Sequence, residues 1–270
     1  MQLLNPYYAA ALLSLILSAA VAADERLRMA TTTSTENSGL LAELNPVFVK
    51  KYDIKLDVIA VGTGKAIRLA ENGDVDLILV HAPAAELEFV EAGFGVDRKA
   101  VMYNDFVIVG PDADPAAVQG ATSVLDAMLR IQQQGAAFVS RGDDSGTHNK
   151  ELKLWGLAGL EPKSQAYLAV GQGMGATLQI ASDKQAYTLV DRGTWLAMRD
   201  KLDLIVVNQG DPNLFNPYHV IAVNPDRHAH VSYKRSRQYI DFITGPAGQS
   251  IIQHFKVNGE VLFHPDAAVE

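Results

Sequence analysis

Strand and helix patterns alternate along almost the whole sequence, which predicts an α/β protein with largely parallel sheets. Two further observations refine that class. The 270 residues, 48% of them hydrophobic and 20% charged, exceed one small core and suit two α/β lobes. Two β-rich segments then read as crossings between lobes, which leaves the first lobe discontinuous. Lobe 1 is expected to comprise residues 23–105 and 208–270, lobe 2 residues 106–207, with a cleft between them where a small ligand would bind.

The elements follow in order. "RLRMATT" reads as a strand, followed by a helix with Leu40, Leu44 and Phe48 on one face. Pro46 lies inside that helix and is expected to kink or split it. "KLDVIAV" is a second strand, after which Gly62-Thr63-Gly64 opens the helix "KAIRLAENG". "VDLILVHA" is a continuous apolar run, as in a strand buried on both faces. "AAELEFVEAG" is the next helix, closed by Gly93. "AVMYNDFVIVGP" supplies the first crossing, near Asn104 to Pro111. "SVLDAMLRIQQQG", "AFVS", "THNKELKLWGLAG", "AYLAV" and "GATLQIASDKQ" rebuild the alternation in lobe 2. "LDLIVVNQGDPNLFNPYHVIAVNP" is the return crossing, and "SRQYIDFITGPAGQSIIQHF" gives two helices with Pro246 in the first turn of the second.

Composition excludes several functions. There are no cysteines, hence no disulfide, thiolate metal site, cysteine nucleophile or lipid-modified cysteine. A net charge of −8 argues against a nucleic-acid partner. Residues 1–22, "MQLLNPYYAAALLSLILSAAVA", carry no charged side chain and end in an A-x-A site. The apolar stretch falls short of the ~20 residues that span a bilayer, so a signal peptide cleaved near Ala22 is expected. Its lack of Lys or Arg is unusual, and an uncleaved anchor is the alternative. The mature chain is expected to be a free, exported monomer without a cofactor.

Three corners share one grammar. "TTTSTENSG" at 31–39, "VGTGK" at 61–65 and "SRGDDSGTH" at 140–148 each follow a strand and precede a helix. The first helical turn leaves backbone N–H groups unpartnered, its dipole favours negative charge, and Ser or Thr there adds a hydroxyl donor. Such a corner suits an oxyanion. Arg141 would supply the formal charge, with Asp143 or Asp144 pinning its guanidinium. Each corner also has a plainer reading: Thr33 with Glu36 fits a capping box, and Gly62-Thr63-Gly64 fits a simple turn. His81 ends a buried strand facing the cleft, as a ligand group or as a structural histidine. His228 and His230 read as solvated. Neither a G-x-S-x-G elbow nor G-x-x-x-x-G-K-[ST] is present, and the histidines lack H-E-x-x-H spacing.

At these residues the chain resembles the type II periplasmic solute-binding proteins. More closely it resembles the tungstate-binding proteins of ABC importers. The residues that carry this are Thr31 to Thr35, Gly62-Thr63-Gly64, Ser140 to His148, "AYTLVDRGTW" at 186–195 and "TGPAGQSII" at 244–252. The resemblance implies a type II periplasmic binding fold that captures tungstate, with molybdate as a second ligand, and delivers it to a membrane permease. It implies Thr32, Thr33, Ser34 and Thr63 as donors from one lobe, meeting Arg141, Ser145, Gly146 and Thr147 from the other. Thr177, Asp191 and Arg192 complete the second side on resemblance more than on chemistry. Phosphate-binding relatives share the spacing Arg-x-x-x-Ser-Gly-Thr, but place a carboxylate after the third strand to accept phosphate's proton. Strand alignment puts His81 there, which is expected to donate to a proton-free dianion instead. Two alternatives remain: a binder of phosphate or sulfate, and an exported phosphate-ester hydrolase with Ser34 or Ser145 as nucleophile, for which the sequence offers no base beside either serine.

Overall fold

Alternating strands and helices lay down the first βαβ units as expected. The computed structural model describes residues 26–162 and 165–267; the expected leader at 1–22 lies outside them. β1 (Arg26–Thr32) leads through a short helix α1 (Thr33–Asn37) into α2 (Leu40–Tyr52). β2 (Lys55–Val61), α3 (Thr63–Glu71), β3 (Leu77–Val80) and α4 (Pro83–Glu91) follow. β3 is buried along its whole length, as its unbroken apolar run requires.

α2 runs as one helix through Pro46 and is not split there. Leu40, Leu41 and Leu44 before the proline and Phe48 after it are all buried. Phe48 packs its ring 4.9 Å from that of Tyr239. Full burial of one such side chain contributes roughly 1.5–3 kcal/mol, so the stripe on both sides outweighs the one hydrogen bond a proline removes.

β4 (Gly95–Gly110) is a 16-residue strand that organises the rest. α5 (Val124–Gln133), β5 (Phe138–Ser140), α6 (Gly146–Leu157), β6 (Tyr167–Ala169), α7 (Met174–Asp183), β7 (Thr188–Asp191) and α8 (Arg192–Met198) come next. β8 (Ile205–Asn208) and β9 (Phe215–Val223) bring the chain back; α9 (Tyr233–Thr244) packs against β9 and β4, and α10 (Pro246–His254) against β12 and α2. Three two-residue strands close the chain: β10 (Lys256–Val257), β11 (Glu260–Val261) and β12 (His264–Pro265).

The strand order is β12-β4-β9-β3-β1-β2, with β1 parallel to β2 and β3, and β9 antiparallel to β3 and β4. β4 changes partners midway. It pairs with β9 as far as Asp105 opposite Phe215, and from Phe106 onward it pairs with β7 and β8. β5 and β6 form a parallel pair, joined to β7 by a bridge between Phe138 and Tyr187. One strand thus serves two groups of strands. The main core is continuous across that join, taking in Leu27, Leu77 and Val220 from one group and Val107, Val139 and Val190 from the other. Helices over an open sheet whose longest strand is shared in this way form the type II periplasmic binding fold.

Candidate functional site

The registers bring strand ends from both groups to the same place. Val80, the last residue of β3, pairs with His219 of β9; His219 pairs with Ala100, and Asn216 with Asn104. The carboxyl ends of β1 and β3 therefore lie level with residues 100–104 of β4, across the intervening β9. From the other group, Asp191 at the end of β7 pairs with Phe106, and β5 runs parallel to β7 beside it. Thr32 and His81 thus flank the partner switch on one side, and Ser140 and Asp191 on the other. Carboxyl ends of parallel strands at a break in strand order are where α/β folds hold ligands.

At the first corner Thr32, not Thr33, is the N-cap: its Oγ1 accepts from the Thr35 backbone N–H at 3.2 Å. The expected Thr33–Glu36 capping box is therefore replaced by a cap one residue earlier. This leaves Thr33 and Ser34 exposed in the first turn, where backbone N–H groups have no partner within the helix. Thr32 Oγ1 also lies 2.6 Å from Thr35 Oγ1, 3.0 Å from Ser34 Oγ and 3.1 Å from His81 Nε2. Ser34 Oγ is 3.3 Å from the same nitrogen. At the second corner α3 starts at half-buried Thr63 with no side-chain cap. A Cβ built on Gly62 or Gly64 would meet nothing within 4 Å, so the space before that turn is open.

His81 joins this corner to the crossing strands. Its Nδ1 lies 3.0 Å from Asn216 Oδ1, while Asn216 Nδ2 donates to Asn104 Oδ1 at 2.8 Å and to Tyr218 Oη at 3.2 Å. With both amide hydrogens spent, Asn216 presents only its oxygen to the ring. The ring proton therefore sits on Nδ1, and Nε2 accepts from the Thr32 or Ser34 hydroxyl. Burial pulls the His81 pKa below its ordinary value, opposed by the Asn216 hydrogen bond and the charges of Glu86 and Asp191. A neutral His81 with this tautomer accepts where the sequence led us to expect a donor. The fold also supplies the base beside Ser34 that the sequence did not reveal.

The third corner is built around Arg141. Gly142 has φ +59°, and a Cβ there would come within 2.8 Å of the Ala169 side chain, so the turn requires glycine. Arg141 Nη2 donates to Asp143 Oδ2 at 2.6 Å, and its buried Nε has no hydrogen-bond partner. Asp143 is the pinning carboxylate; that of Asp144 is almost fully exposed. Burial opposes ionisation of Asp143, but hydrogen bonds from Ser145 and Arg141 outweigh it and hold its pKa low. Ser145 caps α6 by accepting from the His148 backbone N–H at 3.3 Å, which leaves the Gly146 and Thr147 N–H groups in the open first turn. Thr147 itself is buried.

Beneath this corner Glu151 is buried and accepts from Trp155 Nε1 at 3.1 Å and Tyr167 Oη at 2.8 Å. It also bonds Ser140. Burial raises its pKa, against the effect of those three hydrogen bonds. Other expected residues are engaged elsewhere. Thr177 is fully buried, and its hydroxyl faces the Gly173 and Gln172 carbonyls at 3.1 and 3.4 Å. Asp191 caps α8 by accepting from Thr194 N–H at 2.8 Å. Arg192 grips Asp105 with two hydrogen bonds, 2.9 and 2.6 Å, and also donates to Gln209 at 2.9 Å. Lys150 donates to the Phe215 carbonyl at 3.0 Å; burial and then Lys153 lower its pKa to about 8. His228 and His230, expected in solvent, bond the Glu71 and Gly73 carbonyls at 2.8 and 2.9 Å.

Among the described residues no hydrogen bond joins the Thr32–Ser34–His81 corner to the Arg141–Ser145 corner, and no cluster of three or more His, Asp or Glu side chains could hold a metal ion. What flanks the partner switch is a set of hydroxyls and helix-start N–H groups on both sides, with the Arg141 guanidinium; that of Arg192 is spent on Asp105 and Gln209. A small oxyanion is the ligand chemistry such groups fit.

Fold and site together define an anion-accepting binding protein, and comparison with known proteins agrees. The chain belongs to the PBP superfamily, whose domain model matches residues 19–247. It is 45% identical to the tungstate-binding protein TupA of Peptoclostridium acidaminophilum, covering 89% of this sequence and 85% of that one. Among solved structures, TupA from Desulfovibrio alaskensis G20 superposes with a TM-score of 0.85 at 47% identity, covering 90% of this chain and 99% of that one. The tungstate ABC transporter structure from Geobacter sulfurreducens gives 0.76 at 53% identity, covering 86% and 100%.

Proposed function

We propose that this protein is a periplasmic tungstate-binding protein that also takes molybdate and hands its ligand to the permease of an ABC importer. It works as a monomer, without catalysis, after the leader at 1–22 is removed. Residues 23–105 with 208–270 form one lobe and residues 106–207 the other. The two lobes close over the ligand by bending at the crossings near Asp105–Phe106 and Asn208–Phe215. Thr32, Thr33, Ser34 and Thr63 donate from one side; Arg141, Ser145, Gly146 and Thr147 donate from the other. Only the closed state presents both sets, and that difference in affinity drives closure. The observation that carries this reading is the placement of two hydroxyl-rich helix starts on opposite sides of the β4 partner switch. The TupA relatives support tungstate as the ligand. In the free protein His81 Nε2 accepts from Thr32 or Ser34 and offers no ring proton to a ligand, so selection against sulfate, also a dianion, rests on cavity size.

Titration calorimetry on residues 23–270 with tungstate, molybdate, sulfate and phosphate tests the proposal. One tungstate per chain, bound more tightly than sulfate or phosphate, is the expected result; tighter binding of phosphate or sulfate contradicts it. The 3.3 Å approach of Ser34 Oγ to His81 Nε2 favours a second reading, an exported phosphate-ester hydrolase with Ser34 as nucleophile. Thr32 competes for that nitrogen at the shorter distance of 3.1 Å, which supports the binding role. Turnover of a chromogenic phosphoester would establish the hydrolase instead.

A further inference from the structure

We propose that capture of the oxyanion draws a proton from solvent onto His81 Nε2, and that Asn216 is the positioning residue that makes it do so. This rests on the oxyanion reading above and on counting hydrogens. In the free site Nε2 accepts a hydroxyl proton from Thr32 at 3.1 Å or Ser34 at 3.3 Å. Once an oxyanion claims those protons, Nε2 faces two hydroxyl oxygens with no hydrogen between them. A neutral ring could repair this by moving its proton from Nδ1 to Nε2, but Asn216 opposes that. Its oxygen needs the Nδ1–H, and turning the amide over would break its bonds to Asn104 and Tyr218. Those three side chains are only 6%, 4% and 2% exposed, so no water is at hand to replace the lost partners.

The remaining course is uptake of one solvent proton. Nδ1–H stays on Asn216, Nε2–H bonds the Thr32 and Ser34 oxygens, and both hydroxyls point at the anion. The groups around the ring suit an imidazolium. Glu86 on α4 and Asp191 at the end of β7 act on it by charge. Tyr218 of β9 stacks against it with centroids 4.6 Å apart, and Asn216 precedes it on that strand. Thr32 and Ser34 close the remaining side. Glu86 is itself held by Arg98 at 2.9 Å and lies 2.9 Å from His219. Burial keeps His81 neutral in the free protein, so the added positive charge arrives only with the ligand.

Calorimetry of tungstate binding at pH 7.5, in two buffers of very different ionisation enthalpy, reads the proton directly. The wild-type protein is expected to take up close to one proton per oxyanion. Its Kd should weaken as pH rises, by up to about tenfold per pH unit. In Asn216→Leu the ring is free to present Nε2–H while neutral, so tungstate still binds but uptake falls towards zero. His81→Gln should also abolish uptake. Equal heats in both buffers for the wild type, or unchanged uptake in Asn216→Leu, overturn the inference and leave the proposed function standing. No tungstate heat at all overturns the proposed function and the inference with it. Should Asn216→Leu fail to fold, long-range ¹H–¹⁵N spectra of the wild-type ring decide: Nδ1–H in the free protein and both nitrogens protonated in the complex are expected, and an Nε2–H ring in the free protein refutes it.

Discussion

Arg141 differs in kind from the other donors. It brings formal charge to a site in a protein of net charge −8, and Asp143 holds its guanidinium in place at 2.6 Å. Removing one partner of a desolvated charge pair costs about 2–5 kcal/mol, so Arg141→Ala should weaken tungstate binding by roughly two orders of magnitude. Arg141→Lys should recover only part, because an ammonium lacks the planar fork. Thr35→Ala should do far less: Thr35 is buried behind Thr32 and contributes through it. Comparable titrations for the Arg141 and Thr35 variants would remove Arg141 from the site. At this scale, the sequence revealed the residues that donate but not those that hold them. "TTTS" and "SRGDDSGTH" are contiguous and chemically conspicuous. Asn216 and Asn104 are 112 positions apart, each in a β-rich run, and meet only because β9 pairs with β4.

Among the elements, α6 and β5 are joined by one carboxyl group. Glu151 ties Trp155, Tyr167 and Ser140 together directly beneath the Arg141 turn. Its pKa is raised in the folded protein, chiefly by burial. Its contribution is therefore complete below the unfolded value near 4.5 and is lost as pH rises through the folded pKa. Glu151→Gln, which stays neutral, should melt no lower than the wild type at pH 7 and gain on it as pH rises from acid. Glu151→Ala strands those donors and should cost about 1–3 kcal/mol, readable as a lowered Tm. A wild type that gains on Glu151→Gln with rising pH would contradict this. The elements hardest to anticipate were the short ones. α8 is only seven residues long with Gly193 inside it, and β10 to β12 are two residues each, too few for a periodic pattern to show. Pro46 misled because the packing that carries α2 through it comes from Tyr239 and Phe242, far along the chain.

For the whole molecule, alternation was enough to predict the α/β class, and the β-rich run near Asn104 to Pro111 was read as a crossing; what it did not show is that the crossing is one 16-residue strand beginning at Gly95, or which strands pair with each half. That depends on partners brought in from distant segments, β7 and β8 on one half and β9 on the other. At the join Arg192 bridges Asp105 on the outgoing strand and Gln209 on the return, so both crossings should move together. Small-angle scattering should show the radius of gyration contracting when tungstate is added; an unchanged profile at saturation would contradict closure. Everything above depends on where the anion sits. Anomalous diffraction at a tungsten edge, from crystals grown with tungstate, locates the metal atom without reference to any assumed contact. One strong peak is expected between Thr32–Ser34–His81 and Arg141–Ser145–Thr147. A peak elsewhere, with those helix starts facing water, would contradict it.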